Sequence, residues 1–222
     1  MASTGNSEGD RQAASPEVTR KLKAFWDARY ADEEFAYGTA PNDFLVQMID
    51  RIAPQGHVLC LADGEGRNGA WLAQQGRRVT SVDVSERGMQ KARDLARRAG
   101  VTIDTATCDV THYALGVAAW DAIVSIFLHL PPKPRRALHA RCAAALKPGG
   151  TFIYEAYGHE QLRYGTGGPK EPELLPTLED VLADLTGLRI EHRFAGTRAV
   201  HEGRLHHGVG YVVQIVARRE AA

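Results

Sequence analysis

The chain has few cysteines, no net charge and no long apolar run, and each shortage argues against a class of protein. None of its three cysteines forms a Cys-x-x-Cys pair, so we expect neither a metal site nor a disulfide framework. Lys and Arg total 27 and so do Asp and Glu, which leaves no broad basic surface for nucleic-acid phosphates. No apolar run is long enough to span a bilayer. We therefore expect a small-molecule substrate, no nucleic acid and no membrane partner.

The amino terminus also lacks the apolar core of a secretion signal. Residues 1–15 are polar and rich in Ser and Gly, which predicts a disordered tail. We interpret Cys60, Cys108 and Cys142 as buried and reduced, which predicts a cytoplasmic location. A chain of 222 residues suits one α/β domain with small additions, and either a monomer or a homodimer is compatible with it.

Strand and helix patterns alternate from His57 onward. The predicted strands are 57–62, 78–83, 101–107, 120–127, 151–157, 188–195 and 208–218. The predicted helices are 67–76, 86–99, 132–146 and 177–186. Ahead of them, Ser15 is placed to cap a helix over 16–30, and Asn42 or Asp43 to cap a second one ending near 52. This pattern predicts an N-terminal helical lid over residues 16–52.

The most informative segment runs from Val58 to Gly69 and is followed by a second apolar run that ends at Asp83. It predicts a buried strand, a glycine turn, a helix, and a second strand with a carboxylate at its end. Gly64 and Gly66 can adopt backbone angles that a Cβ would forbid, so the turn can pass close to a ligand. Asp83 stands where a nucleotide-binding fold places an acid for the ribose hydroxyls. An adenosine-containing cofactor is therefore predicted.

The same glycines leave a second cofactor open, because Gly64, Gly66 and Gly69 match the dinucleotide pattern G-x-G-x-x-G. An NAD-dependent oxidoreductase is thus an alternative. Two observations favour a smaller cofactor. Asp109 ends the third predicted strand, where its carboxylate can accept the adenine amino proton. The segment 147–150 then leads into one strand and a terminal hairpin, which leaves no second half for a nicotinamide.

Together these motifs resemble the class I S-adenosylmethionine-dependent methyltransferases over about residues 40–218. Segments 25–30, 37–45, 64–68 and 161–170 are similar to the tellurite-resistance and thiopurine methyltransferase-like branch. The resemblance implies a Rossmann-like α/β fold with helices on both faces of a seven-stranded sheet, in the order 3-2-1-4-5-7-6 with the last strand antiparallel. It also implies that residues 53–222 form a methyltransferase domain, with S-adenosyl-L-methionine as cofactor and S-adenosyl-L-homocysteine as product.

The resemblance also implies which residues contact the cofactor. Gly64 and Gly66 would line the methionine portion, and Asn68 would orient the turn or contact the cofactor carboxylate. Asp63 would replace the acid that the family often has at Cys60. The full implied set is Asp63, Gly64, Gly66, Asn68, Asp83, Val84, Asp109, Val110, Ser125, Ile126 and Phe127. The family also often has glycine where Ala62 stands, and the departures at Cys60 and Ala62 leave a non-catalytic S-adenosylmethionine-binding sensor or partner subunit as an alternative.

Simpler interpretations of single members of this set also stay open. Asp83 would serve only as a cap of the following helix, and Asp109 only as a turn residue at a strand end.

The acceptor side of the predicted site rests on fewer residues. His129 follows the fourth predicted strand and is the candidate base, although a loop histidine without a chemical role is the alternative. Tyr30 and Tyr37 are candidates for an aromatic lid over the sulfonium, or else for core packing. Arg163 and Tyr164, together with the His- and Arg-rich segment 198–207, are candidates for an anion-binding rim or for solvated loops. The family resemblance implies a small nucleophile as acceptor, such as a thiol or a tellurium or selenium oxyanion.

Overall fold

The computed structural model describes residues 14–221, and most of the predicted disordered tail lies outside them. A seven-stranded sheet has the order β3-β2-β1-β4-β5-β7-β6, which confirms the predicted topology. Strand β7 pairs antiparallel with β5 and with β6, and the other pairs are parallel. The strands are β1 (His57–Leu61), β2 (Arg78–Asp83), β3 (Asp104–Thr107), β4 (Trp120–Ile126), β5 (Leu146–Tyr157), β6 (Arg189–His201) and β7 (His207–Arg218).

Six α-helices accompany the sheet within these residues. They are α1 (Pro16–Arg29), α2 (Asp43–Gln47), α3 (Arg67–Gln74), α4 (Glu86–Arg98), α5 (Pro132–Ala145) and α6 (Leu178–Asp184). The predicted caps are confirmed at Ser15, whose side chain accepts from Val18 N, and at Asn42, whose side chain accepts from Leu45 N. A short 3-10 turn over Ile49–Arg51 completes the second predicted helix. Within residues 14–221, every helix is too short or too polar to span a bilayer.

Most predicted boundaries differ from the structure by three residues or fewer, as at β3, which begins at Asp104 rather than at 101, but two strand boundaries differ by more. Strand β5 begins at Leu146 rather than at 151, because the backbone of Gly149 and Gly150 pairs with Arg219 and continues the ladder through the segment 147–150. Strand β6 extends to His201 rather than to 195, since its pairing with β7 continues to His201 opposite His207. The longer hairpin carries its tip past the end of β5.

The parallel strands end together at one edge of the sheet, and that edge positions the site. Leu61 pairs with Ser125, and Ser125 pairs with Tyr154, so the ends of β1, β4 and β5 are neighbours. Apolar side chains pack on both faces of these strands, which explains their continuous apolar sequence. Because β7 runs antiparallel to β5, the β6–β7 tip also lies at this edge.

Candidate functional site

The glycine turn, residues 62–68, follows β1 and has an unusual backbone. Gly64 and Gly66 have φ of 57° and 83°, and Ala62 between β1 and the turn has φ of 50°. The first two angles need glycine, whereas Ala62 adopts an angle that disfavours a Cβ, at the position where glycine was expected from the family resemblance. Backbone strain of this kind concentrates at ligand-binding sites.

Asp83 closes the turn from the end of β2. Its Oδ2 accepts from Gly64 N at 2.9 Å, and its Oδ1 accepts from Ser85 N at 2.9 Å. The cap of α4 is the side chain of Ser85, which accepts from Gly88 N, so Asp83 is not merely a helix cap. Burial raises the pKa of Asp83 to about 6, against the backbone hydrogen bonds from Ser85 and Gly64.

Asp63 lies behind the turn rather than in front of it. Its Oδ2 accepts from Ser81 Oγ at 2.6 Å and from Gly69 N at 3.2 Å, so the carboxylate faces β2 and α3. Burial raises its pKa to about 7, even though Ser81 and the charge of Arg67 lower it. These contacts give Asp63 a role in shaping the turn.

Helix α1 and the segment after it cover the part of this edge that carries Asp83 and Asp109. Thr19 Oγ1 donates to Asp109 Oδ2 at 2.9 Å, and Ser85 Oγ donates to Asp27 Oδ1 at 2.6 Å. A Cβ on Gly64 would lie 2.7 Å from the Tyr30 hydroxyl, so the tyrosine ring sits directly on the glycine turn. Asn68, in turn, accepts from Asn42 N at 2.9 Å and attaches α2 to the start of α3.

The residues at this edge fit an adenosyl cofactor. A carboxylate ends β2, the turn in front of it has two glycines with positive φ, and a second carboxylate, Asp109, follows β3. At the end of β4, beside the turn, Ser125 Oγ is buried without a hydrogen-bond partner within residues 14–221. Buried hydroxyls are normally paired, so this atom fits a bound polar group. Three more residues of the predicted cofactor-contact set lie at the same strand ends. They are Val84, Val110 and Ile126, each directly after Asp83, Asp109 or Ser125 in the sequence.

Beyond Ser125, five aromatic side chains form what we call the ring cluster. One of them, Phe127, has a strained backbone. Its φ is 54°, and its N donates to Glu155 O at 2.7 Å. A bulky residue with positive φ is a true outlier, and the bond to β5 holds it. The ring cluster consists of Tyr37, Phe127, His129, Tyr157 and His206.

The protonation state of His129 follows from one contact. Its Nδ1 lies 3.0 Å from Leu174 O, and since a carbonyl can only accept, Nδ1 carries the proton. Its Nε2 is then a lone-pair acceptor, and it is buried with no partner within the described residues. Burial lowers the pKa of His129 to about 4, so the ring is neutral near pH 7.

Next to the ring cluster lies what we call the ionic cluster. It consists of four charged side chains and the amide of Asn42, and the charged residues are Arg67, Glu155, Arg198 and Glu202. Arg67 and Arg198 both bind Glu202, and Arg198 also binds Glu155. The Asn42 amide donates to Glu155 at 2.8 Å and to Glu202 at 2.9 Å. Burial alone would raise the pKa of Glu202, but Arg67 and Arg198 hold it below its ordinary value. The cluster joins the glycine turn, α2, β5 and the β6–β7 tip.

Sequence reasoning missed Glu155 and Tyr157 and left His206 in a loop of open function. A signal was available, because Glu155 is a charged residue inside an apolar strand and Tyr157 is at the strand's carboxyl end. Arg163 is exposed to solvent and pairs with Glu160 at 2.6 Å, and Tyr164 follows it on the same loop. Tyr30 and Tyr37, by contrast, lie at the site.

Comparison with known proteins shows which proteins this chain is similar to. Residues 58–150 match the model of a family described as a methyltransferase domain. The ubiquinone biosynthesis O-methyltransferase of Azoarcus sp. (strain BH72) is 31% identical over 99 residues, which is 44% of this chain and 42% of that protein. The chain thus aligns with less than half of the length of this curated relative.

Solved structures extend the similarity of fold along the chain. A protein solved in a study of the conversion of a disulfide bond into a thioacetal group during echinomycin biosynthesis has a TM-score of 0.75 at 18% identity, over 90% of this chain and 92% of that one. TehB from Haemophilus influenzae has a TM-score of 0.66 at 18% identity, over 90% of this chain and 67% of that one. The chain has the class I methyltransferase fold. Residues 58–150 correspond to a methyltransferase domain, whose cofactor is S-adenosylmethionine.

Proposed function

We propose that the protein transfers a methyl group from S-adenosylmethionine to a protic small-molecule nucleophile. The observation that carries this proposal is the neutral His129, which lies beyond β4 at the same edge as the glycine turn and whose Nε2 has no partner among the described residues. The bound cofactor supplies an electrophilic methyl group on a good leaving group. The protein then contributes alignment, exclusion of water and a place for the acceptor's proton.

In this proposal the cofactor lies along the strand ends. Gly64 and Gly66 line its methionine portion, Asp83 binds the ribose hydroxyls, and the backbone at 125–127 holds the amino group. Asp109 and Val110 bind the adenine, which requires the bond from Thr19 to Asp109 to open or to be shared. Asp63 and Asn68 keep the turn in shape through Ser81 and Asn42. The segment 16–52 acts as the lid over residues 53–222.

Several acceptor classes enter the proposal. Resemblance to the tellurite-resistance and thiopurine branch makes thiols and tellurium or selenium oxyanions candidates. The name of the curated relatives adds a hydroxyl group. We also propose a cytoplasmic location, supported by the free thiols of Cys60, Cys108 and Cys142.

Calorimetric titration with S-adenosylhomocysteine, and separately with NADH, tests the cofactor. We expect saturable binding of S-adenosylhomocysteine that is lost in Asp83→Ala. Binding of NADH alone would refute the methyltransferase proposal. Binding without methyl transfer to any thiol, hydroxyl or oxyanion acceptor would instead indicate a sensor or partner subunit.

The role of His129 has its own test. We expect His129→Gln to lower kcat about 100-fold or more for an acceptor that must lose a proton, because the proton acceptor is gone. Affinity for S-adenosylhomocysteine should stay unchanged. For an acceptor that is already ionised at the assay pH, kcat should fall little. This difference between the two kinds of acceptor distinguishes a loss of proton transfer from a structural defect. Equal losses for both kinds of acceptor would contradict the proposed role.

A further inference from the structure

Two exposed histidines face each other across the β6–β7 hairpin. His201 ends β6 and His207 begins β7, and the two residues form a pair in the antiparallel ladder. Side chains that are directly opposite in such a pair lie on the same face of the sheet. Their Nδ1 atoms are 3.5 Å apart, and their ring centroids are 5.0 Å apart. The hairpin therefore presents two neighbouring imidazole rings to solvent.

The separation of the two nitrogens fits a shared metal ion better than a shared proton. Hydrogen bonds from N–H donors usually measure about 2.7–3.2 Å, so 3.5 Å is long for one imidazole donating to the other. Two imidazole nitrogens bound tetrahedrally to one zinc ion, each at about 2.0–2.1 Å, lie roughly 3.3–3.4 Å from each other. A neutral imidazole offers a lone pair through either ring nitrogen. The two rings are therefore already spaced as a chelating pair.

These two rings would be the protein's whole contribution to a metal site. Within residues 14–221, no group of three or more His, Cys, Asp or Glu side chains is placed to hold a metal ion. Solvent would occupy the remaining positions, which the exposure of both rings allows. Imidazole ligands suit Cu²⁺, Zn²⁺ and Ni²⁺, whereas Mg²⁺ and Ca²⁺ prefer oxygen ligands. The expectation of no metal site rested on the cysteines, and only the hairpin pairing brings these two histidines together.

The residues between the two histidines, 202–206, contact the amino-terminal part of the chain. Glu202 accepts from the Asn42 amide at 2.9 Å. Gly203 approaches the segment after α1 so closely that a Cβ on it would lie 2.5 Å from Gly38 N. An ion held by both histidines would close the base of this tip, and would thereby restrict the residues that hold the segment after α1 in place.

We propose that His201 and His207 together bind one divalent transition-metal ion, of the copper or zinc type, and that this ion fixes the hairpin tip. Each neutral imidazole donates one lone pair to the ion, and solvent completes the coordination. The inference does not depend on methyl transfer, because it concerns only the hairpin and the segment that its tip contacts.

Copper binding followed by electron paramagnetic resonance tests the site, with protein that carries no histidine tag. We expect saturable binding of one Cu²⁺ ion, with hyperfine splitting from two nitrogen ligands. In His201→Gln and in His207→Gln the ion should bind at least about tenfold more weakly, since each variant loses the chelate. His159→Gln, which removes an exposed histidine outside the hairpin, is the matched control and should bind like the parent. Zinc titrated by calorimetry should show the same order of affinities.

Two results would overturn the site. One is the absence of saturable Cu²⁺ and Zn²⁺ binding by the parent. The other is equal affinity in the parent and in both hairpin variants, which would place the ion elsewhere. The Tm of each variant without metal shows whether it is folded, and it should match that of the parent because both side chains are exposed.

Hydrogen-exchange mass spectrometry with saturating Zn²⁺ tests the effect on the tip. Amides of residues 202–206 and of the segment 31–42 should exchange more slowly in the parent when zinc is bound, and should not change in His207→Gln. Mg²⁺ at the same concentration is the control ion and should have no effect. Unchanged exchange in a parent protein that binds zinc would show that the ion does not fix the tip.

Discussion

At the scale of a residue, two aspartates on opposite sides of the glycine turn, Asp63 and Asp83, illustrate how burial sets the chemistry of a side chain. Asp83 bonds the turn through Gly64 N, whereas Asp63 supports it from behind through Ser81 and Gly69. Burial raises both pKa values, to about 6 and about 7. Both carboxyl groups should therefore titrate in a pH range that is accessible to experiment. Asp83 should affect cofactor binding, and Asp63 should affect stability.

Cofactor binding should depend on the ionisation of Asp83. A carboxylate accepts the ribose hydroxyls better than a carboxylic acid does, so affinity for S-adenosylhomocysteine should fall as the pH drops below about 6, approaching tenfold per pH unit. Calorimetry between pH 5 and pH 8, at about unit steps, measures this dependence. In Asp83→Asn the affinity should be lower and should lose this pH dependence. A parent protein whose affinity is flat over this range would contradict the prediction.

Asp63 should make stability fall as the pH rises. Its pKa is raised from 3.8 to about 7, so between these values the folded protein keeps a proton that the unfolded chain has released. The free energy of unfolding of the parent, relative to Asp63→Asn, should therefore fall across this range by up to about 4 kcal/mol. Urea denaturation of both proteins at a series of pH values measures the difference, and a constant difference would disprove the raised pKa.

At the scale of elements, Glu65 of the glycine turn attaches that turn to the segment 31–37 after α1. Glu65 Oε2 accepts from Ala36 N at 2.8 Å, and Glu65 Oε1 lies 2.5 Å from Lys91 Nζ. Lys91 also donates to Asp32 O at 2.8 Å and to Glu34 O at 3.0 Å. The proposed lid and the proposed cofactor turn therefore share a hydrogen-bonded connection.

Removing that connection should loosen the segment 31–37 over the site. In Glu65→Ala we expect faster amide hydrogen exchange in this segment and a several-fold faster dissociation of S-adenosylhomocysteine, with the sheet unaffected. Hydrogen-exchange mass spectrometry and stopped-flow displacement measure the two effects. Glu17→Ala is the control, since Glu17 is exposed on α1 and pairs with Lys21. Unchanged exchange in Glu65→Ala would show that the segment is held by other contacts.

For the whole molecule, the ionic cluster is the junction between parts that are distant in sequence. Glu155 is fully buried in β5, and Arg198 reaches it from β6 while also binding Glu202 at the hairpin tip. Asn42 adds the amino-terminal segment to the same group. Buried charges of this kind are tolerated because each has a partner.

Breaking the junction should destabilise the entire fold. Arg198→Met leaves the Glu155 charge buried without its main partner, and we expect a loss of about 3–5 kcal/mol in the free energy of unfolding. Arg193→Met, an exposed position on the same strand, is the matched control and should stay within about 0.5 kcal/mol of the parent. Chemical denaturation measures both variants. Equal stabilities would mean that the cluster is not a structural junction.

The features that could be predicted from the sequence are those that depend on a local sequence pattern. The strand order, the caps at Ser15 and Asn42, and the placement of Gly64, Asp83, Asp109 and Ser125 at one edge of the sheet all agree with the sequence analysis. These features depend on apolar periodicity, on glycine geometry and on the rule that parallel strands end at a common edge. Each is encoded within a short stretch of chain.

The sequence alone therefore determined the fold class and the glycine turn. Only the tertiary structure decided that Tyr157 and His206 join His129, that Arg67 and Arg198 are occupied by Glu155 and Glu202, and that Asp63 faces away from the front of the turn. The physical reason is that these contacts join residues from distant parts of the chain, and their partners depend on how far the β6–β7 hairpin extends and where its tip packs. No local periodicity in the sequence indicates how far the hairpin extends.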